Sequence, residues 1–201
     1  MQSIVLASAS PRRAELLTQI GLSFLVRPAD IDETPASDES AEHYVERLAR
    51  EKALAGSAFG PGSLVIGADT SVVLNGRILG KPANADDATC MLEELSGQTH
   101  QVLTAVAIAC KGSCESCLVA TDVRFRELSA PEIEAYVATG EPMDKAGGYG
   151  IQGRGGIFVE ELRGSYSAVV GLPLQEIATL LAGAGYPVWE TWNSRQESRN
   201  E

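Results

Sequence analysis

With 201 residues, 44% of them apolar, the chain can bury the core of one domain with one or two lobes, and no apolar run approaches the length of a membrane span. Twenty-seven acidic residues against 16 basic ones set a net charge of −11, which argues against general nucleic-acid binding, where phosphate contacts dominate affinity. The opening Met1-Gln2-Ser3-Ile4-Val5-Leu6 has no basic segment before its apolar residues, so we expect no signal peptide, a cytoplasmic location and reduced cysteines.

Residues 3–7 read as a first strand. Ser10 and Pro11 then supply an N-cap and a first helical residue for a helix to about Ile20, stopped by Gly21. Leu22–Val26 reads as a second strand and Pro28–Glu39 as an acidic, proline-bearing loop. Ser40 caps a long helix to about Ala58, with Tyr44, Val45, Leu48 and Ala49 on one face. Leu64–Leu74 is nearly continuous apolar sequence, a strand buried on both faces. Asn75-Gly76 turns it into a hairpin with Arg77–Leu79. A helix over 86–95 leads to two long strands, 99–110 and 117–126, joined by Lys111-Gly112-Ser113. A helix from Pro131 to Gly140, a glycine-rich loop, a strand over 156–161 and a helix over 174–181 complete the pattern. A single domain over 1–185 with a polar tail over 186–201 is expected, and the alternation indicates an α/β fold with a mixed sheet.

Two segments carry charge that folding alone does not require. Arg12 and Arg13 lie in the first turn of the first helix, where the dipole is positive and each cation costs roughly 0.3–1 kcal/mol. An anion at that terminus would reverse the sign, since free N–H groups and guanidinium forks both bind phosphate. On this reading, removing Arg13 leaves stability unchanged or slightly raised. The second segment is Asp144-Lys145-Ala146-Gly147-Gly148-Tyr149-Gly150-Ile151-Gln152-Gly153, whose glycines let backbone approach a ligand.

Asp69 interrupts the buried strand, where an unpaired carboxylate is expensive. It caps a turn, or it is paired, metal-bound or catalytic. The hairpin register returns Lys81 toward position 70, which places its ammonium within reach of Asp69. Taken alone, Glu33 and Lys52 read as solvated surface charges. The spacing Cys110, Cys114, Cys117 with a distant Cys90 does not make a closed zinc site. No P-loop and no nucleophile elbow is present. Arginines, lysines and isolated carboxylates suit a polyphosphate substrate better than acyl transfer.

Five blocks, Leu6-Ala7-Ser8-Ala9-Ser10-Pro11-Arg12-Arg13, Gly67-Ala68-Asp69-Thr70, Gly80-Lys81-Pro82, Ser96-Gly97-Gln98-Thr99-His100 and the loop 144–153, closely resemble the Maf family of nucleotide pyrophosphatases over about residues 3–182. The resemblance implies an elongated, twisted mixed sheet with flanking helices and two lobes around a cleft, as in the inosine triphosphate pyrophosphatases. It implies hydrolysis of a nucleoside triphosphate to monophosphate and diphosphate with a divalent cation, Mg²⁺ or Mn²⁺. Asp69 matches the proton acceptor. Ser10, Arg13, Glu33, Lys52 and Lys81 match residues that support activity, with Ser10, Arg13 and Lys81 on phosphate and Asp69 and Glu33 on metal. Arg12, Thr70 and Gln152 match base-selecting positions. Ser-Pro-Arg-Arg and Tyr-Gly-Ile-Gln-Gly point to the branch acting on dTTP and UTP, or on modified pyrimidine nucleotides, rather than on 7-methyl-GTP. Ser71 departs from the branched apolar residue of many relatives. The resemblance leaves open a homodimer and, as an alternative, a nucleotide-binding regulator of septum formation with little turnover.

Overall fold

The computed structural model describes residues 2–60 and 62–193. Strands β1 (Ile4–Leu6), β2 (Leu25–Val26), β3 (Leu64–Leu74), β5 (Thr99–Cys110), β6 (Ser113–Phe125) and β7 (Val159–Arg163) form one sheet in the order β2-β1-β3-β5-β6-β7, and β4 (Arg77–Leu79) pairs with the far end of β3. β1 runs parallel to β2 and β3, and the remaining pairs are antiparallel. The mixed sheet matches the sequence expectation. No helix among the described residues is long and apolar enough to cross a membrane.

One face of the sheet is covered by α2 (Ala41–Gly56), whose buried stripe is Val45, Leu48, Ala49, Lys52, Ala53 and Gly56. A Cβ on Gly67 would stand 2.2 Å from the Ala49 carbonyl oxygen and 2.5 Å from the Ala53 nitrogen. Glycine there lets the helix backbone rest directly on β3. Period-2 alternation puts Asp69 on the same face as Gly67, one step along the strand from this contact.

The opposite face carries two apolar clusters. Leu16 and Leu17 of α1 (Pro11–Gln19) and Ile177 and Leu181 of α6 (Leu174–Gly183) pack on Ile66, Ala68 and Val106. Leu92 and Leu95 of α3 (Ala85–Leu95), with Ile133 and Tyr136 of α4 (Ala130–Val137), pack on Val72, Val102 and Phe125. Between the two clusters the strands carry threonines, Thr70 on β3 and Thr104 on β5, which are registered partners. This polar seam separates the two clusters.

Several boundaries differ from the sequence reading, each for a local reason. The second strand starts at Leu25, because Leu22 is buried after the left-handed Gly21 and its N–H caps the Leu17 carbonyl. β6 starts at Ser113, because Lys111 and Gly112 alone take positive φ and make a two-residue turn. Cys114 and Cys117 therefore lie on one strand and, being three apart, on opposite faces. All four cysteines are free thiols. The segment expected as a strand from 156 forms a 3-10 turn, Arg154–Phe158, before β7. Two short helices, α5 (Tyr166–Val170) and α7 (Glu190–Asn193), were not legible by periodicity. In the segment read as a tail, Val188 is buried and the Trp192 indole donates to the Ile20 carbonyl at 2.8 Å, while 194–201 lie outside the described residues.

Candidate active site

A cavity of about 850 Å³ is lined by residues of α1, α2, β3 and the glycine-rich loop. Arg12, Arg13, Lys52, Lys81 and Lys145 all line it, together with Glu33, Asp69, Glu141 and Asp144. Five cations against four carboxylates leave this wall with an excess of one positive charge in a chain of net charge −11, which favours an anion there. Every residue singled out in the sequence, Ser10, Arg12, Arg13, Glu33, Lys52, Asp69, Thr70, Lys81 and Gln152, lies on this wall.

Asp69 is 8% exposed, and its Oδ1 accepts from Lys52 Nζ at 2.8 Å. Lys52 is equally buried, and the same ammonium meets Glu33 Oε1 at 2.7 Å. The cation on Asp69 is therefore Lys52, not Lys81. The β3–β4 pairing stops at Val72–Leu79, short of positions 70 and 81, and the Lys81 side chain is exposed on the cavity rim. Lys52 is no solvated surface charge either, since it occupies the core stripe of α2 at helical spacing from Leu48 and Ala49. That periodicity was the signal available in the sequence. Burial pushes the Asp69 carboxyl above its ordinary range, against the pull of Lys52 and then Arg13. The bond from Lys52 holds Glu33 below its ordinary value. The outcome is a poorly solvated carboxylate, paired with Lys52, that has a raised affinity for protons, the property a general base uses.

Ser10 occupies the N-cap position in an extended conformation, but its side chain makes no capping bond. The first-turn N–H groups beside Arg12 and Arg13 thus remain available to a ligand. Arg13 departs from the sequence reading. Its Nε donates to the Gly171 carbonyl at 2.8 Å, and its Nη1 donates to the Ala68 carbonyl at 2.9 Å and to Ser8 Oγ at 3.1 Å. Its Nη2 reaches Thr70 Oγ1 at 3.3 Å. The side chain braces α1 against β3 and the turn after α5, and Ser8, given no role of its own in the sequence reading, helps to orient it. Arg13→Ala would leave two backbone carbonyls without donors, at roughly 1–3 kcal/mol for each group left unsatisfied. We expect this variant to melt below the wild type in a thermal scan and to bind triphosphate more weakly, the reverse of the stability expected from the dipole alone. An unchanged melting temperature would show that the brace contributes nothing.

Thr70 Oγ1 also lies 3.1 Å from Thr104 Oγ1, which donates its single hydrogen to the Ala168 carbonyl at 2.7 Å. Thr70 then donates to Thr104 and accepts from Arg13, so its hydroxyl is engaged within the protein. Arg12 bridges to Asp144 Oδ2 at 3.0 Å, joining α1 to the glycine-rich loop across the cavity. Gly147 N–H donates to the Gly80 carbonyl at 3.0 Å, which ties the same loop to the turn carrying Lys81. Gln152 is exposed on this loop, and its amide makes no hydrogen bond among the described residues.

For a divalent cation, Asp69 and Glu33 each give one oxygen to Lys52, leaving Oδ2 and Oε2. No group of three or more His, Cys, Asp or Glu able to hold a metal occurs among the described residues. This donor set fits a magnesium-type ion carried in on phosphate oxygens and keeping its waters, rather than one caged by protein.

Residues 3–184 match the family described as Maf-like protein. The chain is similar to several relatives that carry the name dTTP/UTP pyrophosphatase. The one from Salmonella typhimurium (strain LT2) is 59% identical over 183 residues, covering 90% of this chain and 93% of its own. The one from Anaeromyxobacter dehalogenans is 56% identical over 192 residues, covering 93% and 97%. Among solved structures, a HAM1 protein from Coxiella burnetii shares the fold, with a TM-score of 0.51 at 16% identity over 91% of this chain and all of that one.

Proposed function

The chain belongs to the Maf family, and from that membership and the cavity we propose that it hydrolyses dTTP and UTP to the nucleoside monophosphate and diphosphate. The observation that carries the chemistry is Asp69, buried and bonded to Lys52 on the wall of the cavity. Asp69 takes a proton from water as that water attacks the α-phosphorus. The bond from the α-phosphorus to the bridging oxygen breaks, and diphosphate leaves with the electron pair. Arg12, Lys81, Lys145 and the first-turn N–H groups of α1 face the charge on the triphosphate. Arg13 adds its charge from behind this surface and holds the first turn in place. Asp69 and Glu33 would hold a divalent cation, which would supply neutralisation of the remaining phosphate charge. A protein that only bound nucleotide would gain nothing from a carboxylate kept at this cost away from water.

Gln152 offers one amide donor and one acceptor, the complement of a uracil or thymine edge. A polar site of this kind strands its groups against the wrong base and discriminates strongly for that reason. The test is kcat/KM on dTTP, UTP, dATP, dGTP and 7-methyl-GTP, read by diphosphate release, for wild type and Gln152→Ala. The pyrimidines should lead in the wild type, and the variant should lose that preference more than it loses turnover of the best substrate. A wild-type preference for a purine would overturn the substrate assignment.

A further inference from the structure

One wall of the cavity is folded around a carboxylate that the chemistry above does not use. Glu141 follows Gly140, whose φ of +73° turns the chain out of α4. Its Oε1 accepts from the Gly155 N–H at 3.2 Å and from the Tyr136 hydroxyl at 3.0 Å, and its Oε2 accepts from the Arg154 N–H at 3.0 Å. The Tyr136 oxygen in turn accepts from the Gly150 N–H at 3.2 Å. The carboxylate and the phenol thus hold the backbone on both sides of Ile151-Gln152-Gly153. The Gly153 N–H closes this short loop on the Gly150 carbonyl at 3.1 Å.

Glycines at 150, 153 and 155 give these side chains, and that of Lys145, room to approach the backbone. A Cβ on Gly153 would stand 2.3 Å from Glu141 Oε1, one on Gly150 would stand 2.7 Å from Lys145 Cε, and one on Gly155 would stand 2.8 Å from the Tyr136 oxygen. Burial pushes the Glu141 carboxyl up, but the two backbone donors and then Tyr136 outweigh it and leave the group below its ordinary value. Glu141 is ionised at neutral pH, and its bonds to the loop are charge-assisted. Both of its oxygens are occupied by protein donors, so it is not a free ligand for the base.

We propose that Glu141 is a positioning residue for base selection. By holding the backbone at Gly150 and at Arg154-Gly155, it sets the direction in which Gln152 presents its amide. This rests on the reading of Gln152 as the group that meets the pyrimidine edge.

The test compares Glu141→Ala, Glu141→Gln, Gln152→Ala and the double variant Glu141→Ala/Gln152→Ala with the wild type. Three quantities are measured: the ratio of kcat/KM for dTTP to that for dATP, the melting temperature, and the Kd for inorganic pyrophosphate. Glu141→Ala should lower the ratio by about tenfold or more, through KM for dTTP rather than kcat, with pyrophosphate affinity unchanged. Glu141→Gln keeps one acceptor and should fall between. Residues that act as a unit are non-additive, so the double variant should be no less selective than Gln152→Ala. A folded Glu141→Ala that keeps the wild-type ratio, or a double variant showing the full sum of both losses, overturns the proposal. If Glu141→Ala does not fold, Glu141→Gln decides, since a lowered melting temperature with an unchanged ratio means a structural role only. A wild type with no pyrimidine preference, or a Gln152→Ala protein that keeps it, defeats the reading of Gln152 instead.

Discussion

Asp69→Asn is expected to lower kcat by about 10²–10⁴-fold, the usual effect of losing a general base, while the protein melts at or slightly above the wild-type temperature. The amide keeps the shape and can still accept from Lys52, which retains Glu33 as its ionic partner at 2.7 Å. The sign of the stability effect follows from linkage. A carboxyl whose folded pKa lies above its unfolded value binds protons more tightly in the folded state, so its ionisation costs stability as pH rises through the folded value. At neutral pH the neutral amide removes that cost. The same raised pKa sets the acid limb of the wild-type rate profile, which should lie above the ordinary aspartate range around 3.8. Diphosphate release against pH, with a thermal scan of each protein, checks both statements. Near-wild-type turnover in a folded Asp69→Asn protein would remove Asp69 from the base role.

Lys52→Met is expected to show the largest stability loss of any single change at the site. Lys52 bridges Asp69 and Glu33 with a side chain only 10% exposed. Breaking a buried ion pair by removing one partner typically costs about 3–5 kcal/mol, because it strands the other charge. Here it leaves two carboxylates without the cation between them. In a domain of this size each kcal/mol lowers the melting temperature by roughly 2–4 °C. Because Lys52 is the main group opposing burial at Asp69, its loss should also push the acid limb of residual activity to higher pH. Lys81→Met, by contrast, should weaken triphosphate binding with little change in stability, since Lys81 is exposed on the rim. Equal melting temperatures for the two lysine variants would refute the assignment of Lys52 as the buried bridge.

Local signals in the sequence specified much of this molecule. The apolar run 64–74 and the Asn75-Gly76 turn, with φ of +52° and +77°, define β3 and its hairpin. Ser40 caps α2 by accepting from the His43 N–H, as expected. Asp69 stood out because a carboxylate inside a buried strand is costly wherever that strand ends up. Cations concentrated in short motifs, in an acidic chain, marked the polyphosphate chemistry.

What the sequence could not decide are the partners of those groups, because each depends on which backbone lies against which in three dimensions. Lys52 rather than Lys81 meets Asp69 because Gly67 lets α2 rest on β3, a contact between segments far apart in the chain. Arg13 serves as a brace rather than a solvated cation because Ala68 and Gly171, distant in sequence, present their carbonyls to it. Glu141 gave no sequence signal at all. An isolated acid after a glycine is ordinary, and only the return of residues 150–155 over its carboxylate makes it a scaffold. Motif chemistry is local and survives as pattern, whereas pairing and burial are set by packing, and at this site packing chose the partner of every buried charge.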